Sequence, residues 1–121
     1  MTEDAFDFND FMDGYIADLS RALKALSRES VGQLYTEMLQ VMDNGGKVHF
    51  IGNGGSAADA QHLAAEFIVR LRPHLNRDPI PALSLAQDIS TLTACGNDYS
   101  FEDIFLRPFK ALAKKDDILI C

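Results

Sequence analysis

The amino-acid sequence predicts an α/β protein in which an N-terminal helical hairpin precedes a doubly wound parallel sheet. Three observations lead to this class. Apolar residues recur at helical spacing through the first 45 residues, short β-rich segments alternate with helical segments afterwards, and a glycine-rich turn follows the first β-rich segment. Alternating strands and helices are typical of right-handed βαβ crossovers, which build parallel sheets.

The composition excludes several classes of protein. The 121 residues are 47% hydrophobic, which is enough to pack one core, and their formal net charge of −7 argues against broad nucleic-acid binding. No apolar run approaches the roughly 20 residues that span a bilayer, and the polar N-terminus does not resemble a signal peptide. Cys95 and Cys121 form no C-x-x-C motif, which predicts reduced thiols in a cytoplasmic protein without a membrane partner.

The helical arm is predicted over residues 1–45. Its first helix has apolar residues at positions that share one helix face: Phe8, Phe11, Met12, Tyr15, Ile16, Leu19, Ala22, Leu23 and Leu26. Ser30 with Gln33 fits a capping box that opens a second helix, and Asn44-Gly45-Gly46 ends it. A hairpin cannot bury such apolar faces alone, so it must pack on the rest of the domain or on another subunit.

The remaining residues, 46–121, predict a βαβαβ unit. Strands are expected at Lys47–Ile51, Pro81–Ala86 and Ile118–Cys121, and helices at about 57–71, 88–94 and 101–113. Asp88 is the expected cap of the middle helix, and Gly96 or Asn97 its end. Pro108 predicts a kink or a break in the last helix. Doubly wound folds usually have five or more strands, so this unit corresponds to part of such a sheet.

The turn Gly52-Asn53-Gly54-Gly55-Ser56 lies where ligands bind, at the carboxyl end of a parallel strand. Its glycines allow close approach of the backbone, and free N–H groups at the next helix favour an anion. The turn therefore predicts a site for a phosphate or a sugar's polar edge; a plain strand-to-helix turn is the alternative. A dinucleotide site is disfavoured because Asp88 follows too late, and no Gly-Lys-Ser/Thr completes a P-loop.

Further candidates for chemistry lie behind this turn. His62 and Glu66 are one helical turn apart at the border of the apolar face. This spacing fits three alternatives: a general base with its partner, two metal ligands, or an exposed ion pair. Asn97 and Asp98 either bind sugar hydroxyls or cap a helix. A basic loop either steers a phosphorylated substrate or is merely solvated; it contains Arg70, Arg72, His74 and Arg77.

Several of these motifs, in this order, resemble one family. The segments Gly52–Ser56, Ala60–Glu66, Cys95–Phe105 and Asp116–Leu119 are similar to the phosphoheptose (sedoheptulose 7-phosphate) isomerases of the sugar isomerase (SIS) domain superfamily. The similarity extends from about residue 45 to the end. It implies a single Rossmann-like SIS domain over residues 1–121.

The resemblance also implies an activity. Members convert sedoheptulose 7-phosphate to a D-glycero-D-manno-heptose 7-phosphate through an enediol, supplying heptose for bacterial surface polysaccharide. Glu66 would move the proton, and His62 with Glu66 would be half of a zinc site. The helical arm would join neighbours in a homotetramer with active sites between subunits. The implied substrate-binding residues are Asn53, Gly54, Gly55, Ser56, Glu66, Asn97 and Asp98.

Two alternatives and one departure accompany the resemblance. A DnaA-binding replication initiation regulator is similar but lacks the helix glutamate, so Glu66 favours the enzyme over that scaffold; a sugar-phosphate sensor is the third option. Members of the family continue past the third strand into a serine-rich phosphate loop, further strands, and a late glutamine and histidine. We therefore expect a domain incomplete at its C-terminus, and an inactive protein if these 121 residues act alone.

Overall fold

The computed structural model describes residues 6–121, so residues 1–5 of the predicted arm lie outside the described part. The chain divides into two compact units, the residues up to Tyr35 and Thr36–Cys121. Among residues 6–121, no helix combines the length and apolar character that crossing a bilayer requires.

The first unit contains α1 (Phe8–Ala25) and the first half of α2 (Arg28–Asp43). Asp7 caps α1 by accepting hydrogen bonds from the N–H groups of Asn9 and Asp10. The predicted start of α2 at Ser30 is wrong: the Ser27 hydroxyl oxygen accepts the Ser30 N–H at 3.1 Å, so Ser27 is the cap. The serine that precedes the first helical turn makes the bond because its oxygen reaches the free N–H groups there.

No residue within the described bounds of α1 or α2 is buried. Large apolar side chains of both helices are exposed to solvent, among them Phe11, Tyr15, Ile16, Leu19, Leu23, Val31 and Tyr35. In the second unit, Met38 of α2 packs against the edge of the core. Among the described residues, the large apolar side chains of α1 and of the first half of α2 are thus mostly exposed, which agrees with the expectation that a hairpin cannot bury them alone.

The second unit is built on three parallel strands, β1 (Val48–Phe50), β2 (Ala82–Ser84) and β3 (Ile118–Ile120). The strand order is β2-β1-β3, with Val48 opposite both Ala82 and Ile118. All three predicted strands are confirmed. The central strand is the first in sequence, as in doubly wound sheets whose ligands bind beside that strand.

Helices cover both faces of this sheet. The chain connects β1 to β2 through α3 (Gly55–Ile68), and β2 to β3 through α4 (Ile89–Asp98) and α5 (Asp103–Leu112). Phe50 meets Phe67 of α3 with ring centroids 5.4 Å apart, and the neighbouring His49 meets Phe109 of α5 at 5.2 Å. Successive strand residues point to opposite faces, so α3 and α5 lie on different sides. The predicted doubly wound α/β class is confirmed.

The core lies between the central strand and α3. Val48 and Phe50 are buried against Ala60 and Ala64, whose small side chains allow the helix to approach the sheet closely. This packing uses the apolar stripe that the sequence places on one face of α3.

The ends of α3 and α4 differ from the predictions, and α3 stops at Ile68 instead of about residue 71. We expected α4 to stop at Ala94, but it runs through Gly96 and Asn97 to Asp98. Cys95 is buried and Gly96 faces Ile104 of α5, so packing outweighs the poor helix propensity of this segment. Pro108 lies inside α5 without ending it.

Candidate functional site

The glycine-rich turn follows β1 and requires glycine at two positions. Gly54 has a φ of +56°, a region that side chains disfavour. A Cβ atom on Gly52 would lie 2.4 Å from the Ser56 carbonyl oxygen. The turn closes on itself, since the Ser56 N–H donates to the Asn53 carbonyl at 3.0 Å. Its shape therefore depends on these glycines, as the sequence pattern predicts.

Helix α3 begins directly at this turn, and within residues 6–121 no side chain caps it. The N–H groups of Ala57 and Ala58 donate to the Gly54 carbonyl at 3.1 and 3.4 Å. The positive end of the helix dipole is thus left without an acidic side chain, which suits an anionic or strongly polar ligand.

A cleft of about 560 Å³ opens beside the turn, at the carboxyl ends of β1 and β2. It lies between the turn, α4 and α5. Its lining residues are Gly52, Asn53, Gly54, Ala57, Ala86, Leu92, Thr93, Gly96, Phe101, Ile104 and Phe105. Backbone and Asn53 form a polar edge against a largely apolar wall, an arrangement that can hold a small polar molecule by its rim.

Glu66 and His62 form a pair on α3. His62 Nε2 donates to Glu66 Oε1 at 3.1 Å. The His62 side chain is 74% exposed, whereas that of Glu66 is only 26% exposed, and Glu66 Oε2 is buried without a hydrogen-bond partner. His62 therefore orients one carboxylate oxygen, while the other accepts no hydrogen bond from residues 6–121.

The structure does not bring this pair into the cleft. Glu66 lies about three turns after Gly55, which is about 16 Å along the axis of α3. Because α3 runs back from the carboxyl ends of the strands, its two ends lie at different ends of the sheet. Within one chain, the glycine-rich turn therefore lies at the start of α3, whereas the Glu66 carboxylate lies near the end of the same helix.

Asn97 and Asp98 lie in the last turn of α4 instead of in a loop after it. The Asn97 side-chain amide donates to Asp98 Oδ1 at 2.8 Å, and both residues are exposed. Neither residue lines the cleft, but Gly96 immediately before them does. Their polar groups are thus placed next to the cleft and remain accessible.

Asp88 caps α4, as predicted. Its carboxylate accepts the Ser90 N–H at 3.1 Å and the Thr91 hydroxyl. The hydrogen bond from the Thr91 side chain lowers the pKa of Asp88. This carboxylate is therefore engaged in capping the first turn of α4.

The basic loop divides into two kinds of residue. Arg70, Arg72 and His74 are exposed, whereas Arg77 is half-buried and donates from Nη2 to the Glu66 backbone carbonyl at 2.5 Å. Sequence reasoning missed this contact, because no local pattern predicts which carbonyl a loop arginine reaches.

Gln61 is a second missed residue. Its side-chain amide donates to the Ala86 carbonyl at 3.1 Å, which joins α3 to the segment after β2. Ala86 lines the cleft, so Gln61 helps to hold the cleft wall.

The family model of the SIS domain matches residues 11–121. A phosphoheptose isomerase of Paramagnetospirillum magneticum is 47% identical over 116 residues, which cover 93% of this chain and 59% of that protein.

Solved structures agree in fold. A phosphoheptose isomerase from Neisseria gonorrhoeae superimposes with a TM-score of 0.81 at 36% identity, covering 93% of this chain and 59% of that one. A phosphoheptose isomerase from Francisella tularensis gives a TM-score of 0.83 at 32% identity, covering 94% and 60%. The chain thus spans about 60% of the length of these proteins. The match over nearly all of its residues shows that the chain belongs to the SIS domain family.

Proposed function

We propose that the full-length protein is an aldose–ketose isomerase that converts sedoheptulose 7-phosphate to a D-glycero-D-manno-heptose 7-phosphate. The observation that carries this proposal is Glu66, a half-buried carboxylate with one oxygen bonded to His62 and one oxygen free. The names of the similar proteins support the choice of a heptose phosphate as substrate.

The chemistry requires one base that serves two neighbouring carbons. Glu66 Oε2 removes a proton from carbon 1 of the ketose, which leaves an enediol, and returns it to carbon 2. The hydroxyl proton moves in the same sense, from the oxygen on carbon 1 to the oxygen on carbon 2, which leaves the aldehyde at carbon 1. His62 orients the carboxylate from Oε1, so its free oxygen keeps one direction during both transfers.

The turn and the end of α4 supply the proposed substrate contacts. Asn53, Gly54, Gly55 and Ser56 offer backbone and side-chain donors at the start of α3, and Asn97 with Asp98 offers groups for sugar hydroxyls. The separation of about 16 Å along α3 between the turn and Glu66 supports an active site assembled from more than one subunit.

A homotetramer joined by its N-terminal helices would provide the neighbouring subunit that such a shared active site needs. The exposed apolar side chains of α1 and α2 support this assembly, because many exposed apolar residues on neighbouring helices are typical of protein interfaces. We place the enzyme in the bacterial cytoplasm, where it would supply heptose for surface polysaccharide. The free thiols Cys95 and Cys121 fit a reducing compartment.

Zinc is a proposed cofactor for which this chain provides half of a site. His62 and Glu66 offer one nitrogen and one oxygen, the donor types that zinc accepts. Within residues 6–121, no group of three or more His, Cys, Asp or Glu side chains is placed to hold a metal. A tetrahedral site therefore needs two ligands from elsewhere in the full-length protein. When bound, zinc would polarise a substrate oxygen.

Elemental analysis of the full-length protein tests the zinc proposal. We expect about one zinc per subunit in the wild type and much less in His62→Ala, because that variant removes a ligand. Absence of zinc from the wild type would leave Glu66 with its acid–base role alone.

The assay of activity uses the full-length protein and sedoheptulose 7-phosphate. Glu66→Gln keeps the size of the side chain but removes its basicity, so we expect the rate to fall by about 10²–10⁴. Glu29→Gln, an exposed change of the same kind on α2, is the matched control. Unchanged turnover in Glu66→Gln would remove this residue from the mechanism.

A further inference from the structure

The last turn of α3 is held by residues that follow it in the chain. Carbonyl groups at the end of a helix lack partners within the helix. Here the Ala65 carbonyl accepts the Val69 N–H at 2.8 Å, and the Phe67 carbonyl accepts the Ile80 N–H at 3.1 Å. The Glu66 carbonyl between them accepts the side chain of Arg77 at 2.5 Å.

Arg77 is itself fixed in place. Its Nη1 donates to the Asp78 carbonyl at 2.9 Å while its Nη2 reaches Glu66, and the side chain is half-buried. A planar guanidinium with two such bonds has little freedom. Its positive charge also lies at the negative end of the α3 dipole, where a cation is favourable.

The hydrogen bond from Arg77 to the Glu66 carbonyl matters because no hydrogen bond orients Glu66 Oε2 directly. Among residues 6–121, nothing donates a hydrogen bond to Glu66 Oε2, and Oε1 is held only by the exposed His62. The direction of the carboxylate therefore depends on where the Glu66 backbone lies. Misplacement of a reacting group by 1 Å costs as much as about 10²-fold in rate.

We propose that Arg77 is a positioning residue for Glu66, which it fixes through the Glu66 backbone carbonyl. This inference rests on the proposed isomerase function. Arg77 touches neither the reacting carbons nor the transferred proton; it limits the positions from which the carboxylate can act.

The test compares three variants of the full-length protein. Arg77→Met removes the donors but keeps most of the chain length. Arg77→Lys keeps the charge and has a single donor nitrogen, and Asn76→Ala is an exposed change in the same loop. We expect Arg77→Met to lower kcat by about 10–100-fold with KM within about twofold of wild type. Arg77→Lys should recover part of the loss, and Asn76→Ala should behave as wild type.

Thermal unfolding of each variant separates positioning from stability. If Arg77→Met does not fold, the kcat of Arg77→Lys decides, and a value equal to wild type overturns the proposal. A normal kcat in folded Arg77→Met, or a raised KM with unchanged kcat, also overturns it. Absence of wild-type turnover would overturn the proposed function as well, whereas turnover that depends on Glu66 but not on Arg77 would overturn this inference alone.

Discussion

At the scale of single residues, Asp117 organises the end of the sheet opposite the cleft. Its side chain is 1% exposed and accepts hydrogen bonds from Lys47 Nζ at 2.6 Å and His49 Nε2 at 2.9 Å. The backbone N–H groups of Lys47 and Lys114 donate to it at 2.9 and 2.8 Å. Burial by itself would raise the pKa of Asp117, but these bonds hold it well below its usual range.

The depressed pKa of Asp117 predicts a loss of stability in acid. A lowered folded-state pKa contributes stability above the unfolded value of about 3.9, and this is lost as the pH falls towards the folded value. At pH 7, Asp117→Asn should lower the free energy of unfolding by about 3–5 kcal/mol, because it leaves buried donors without their charged partner. The difference from wild type should shrink below about pH 4.

Denaturant unfolding between pH 2 and pH 7 measures this difference. The exposed neighbour Asp116→Asn is the matched control and should stay close to wild type throughout. A difference between wild type and Asp117→Asn that did not change with pH would contradict the assignment.

At the scale of elements, the helices differ in how their first turns are satisfied. Asp7 caps α1 and Asp88 caps α4, whereas within the described part of the chain α3 begins at Gly54–Gly55 without a side-chain cap. A first turn without a cap has N–H groups to offer a ligand. Helix α3 thus begins beside the cleft without a side-chain cap, whereas α4, which also borders the cleft, is capped by Asp88.

The cap of α2 gives a prediction at this scale. Ser27→Ala should lower the free energy of unfolding by about 1 kcal/mol, because the Ser30 N–H loses its acceptor. Ser30→Ala removes only a hydroxyl contact with Ser27 and should cost less. Chemical denaturation followed by circular dichroism measures both. An equal or larger effect of Ser30→Ala would restore Ser30 as the cap.

At the scale of the whole molecule, large apolar side chains of α1 and of the first half of α2 are exposed in the described part of the chain. Within residues 6–121, the buried side chains are concentrated in β1, α3, the end of β2 with the segment after it, and parts of α4 and α5. The two helices of the arm contribute no buried residue within their described bounds. A second copy of the same arm offers an apolar surface of matching kind, and closed symmetric assembly is common among soluble oligomers.

Sedimentation velocity of the full-length protein tests this assembly. We expect a tetramer for the wild type and smaller species for Leu19→Glu with Leu23→Glu, because two charges on the apolar face would be desolvated in an interface. Asp13→Asn, an exposed polar change on α1, should leave the tetramer intact. A monomeric wild type would contradict the assembly.

Much of the fold follows from local sequence patterns. Strands and helices of the second unit lie where alternating β-rich and helical segments predict them, and the glycines of the turn lie where a positive φ and close backbone contact require them. The length of α4 does not follow, since its end depends on packing of Cys95 and Gly96 against α5. Intrinsic helix propensity is a small energetic term, and a few tertiary packing contacts outweigh it.

The sequence by itself determined the class of fold, the family, and the residue types of the candidate site. These depend on periodicity and on motifs, which are properties of neighbouring residues in the chain. Only the tertiary structure decided that Arg77 holds the Glu66 carbonyl and that Asp117 joins Lys47 and His49. Such contacts join residues far apart in sequence, and their geometry exists only once helix and sheet have packed together.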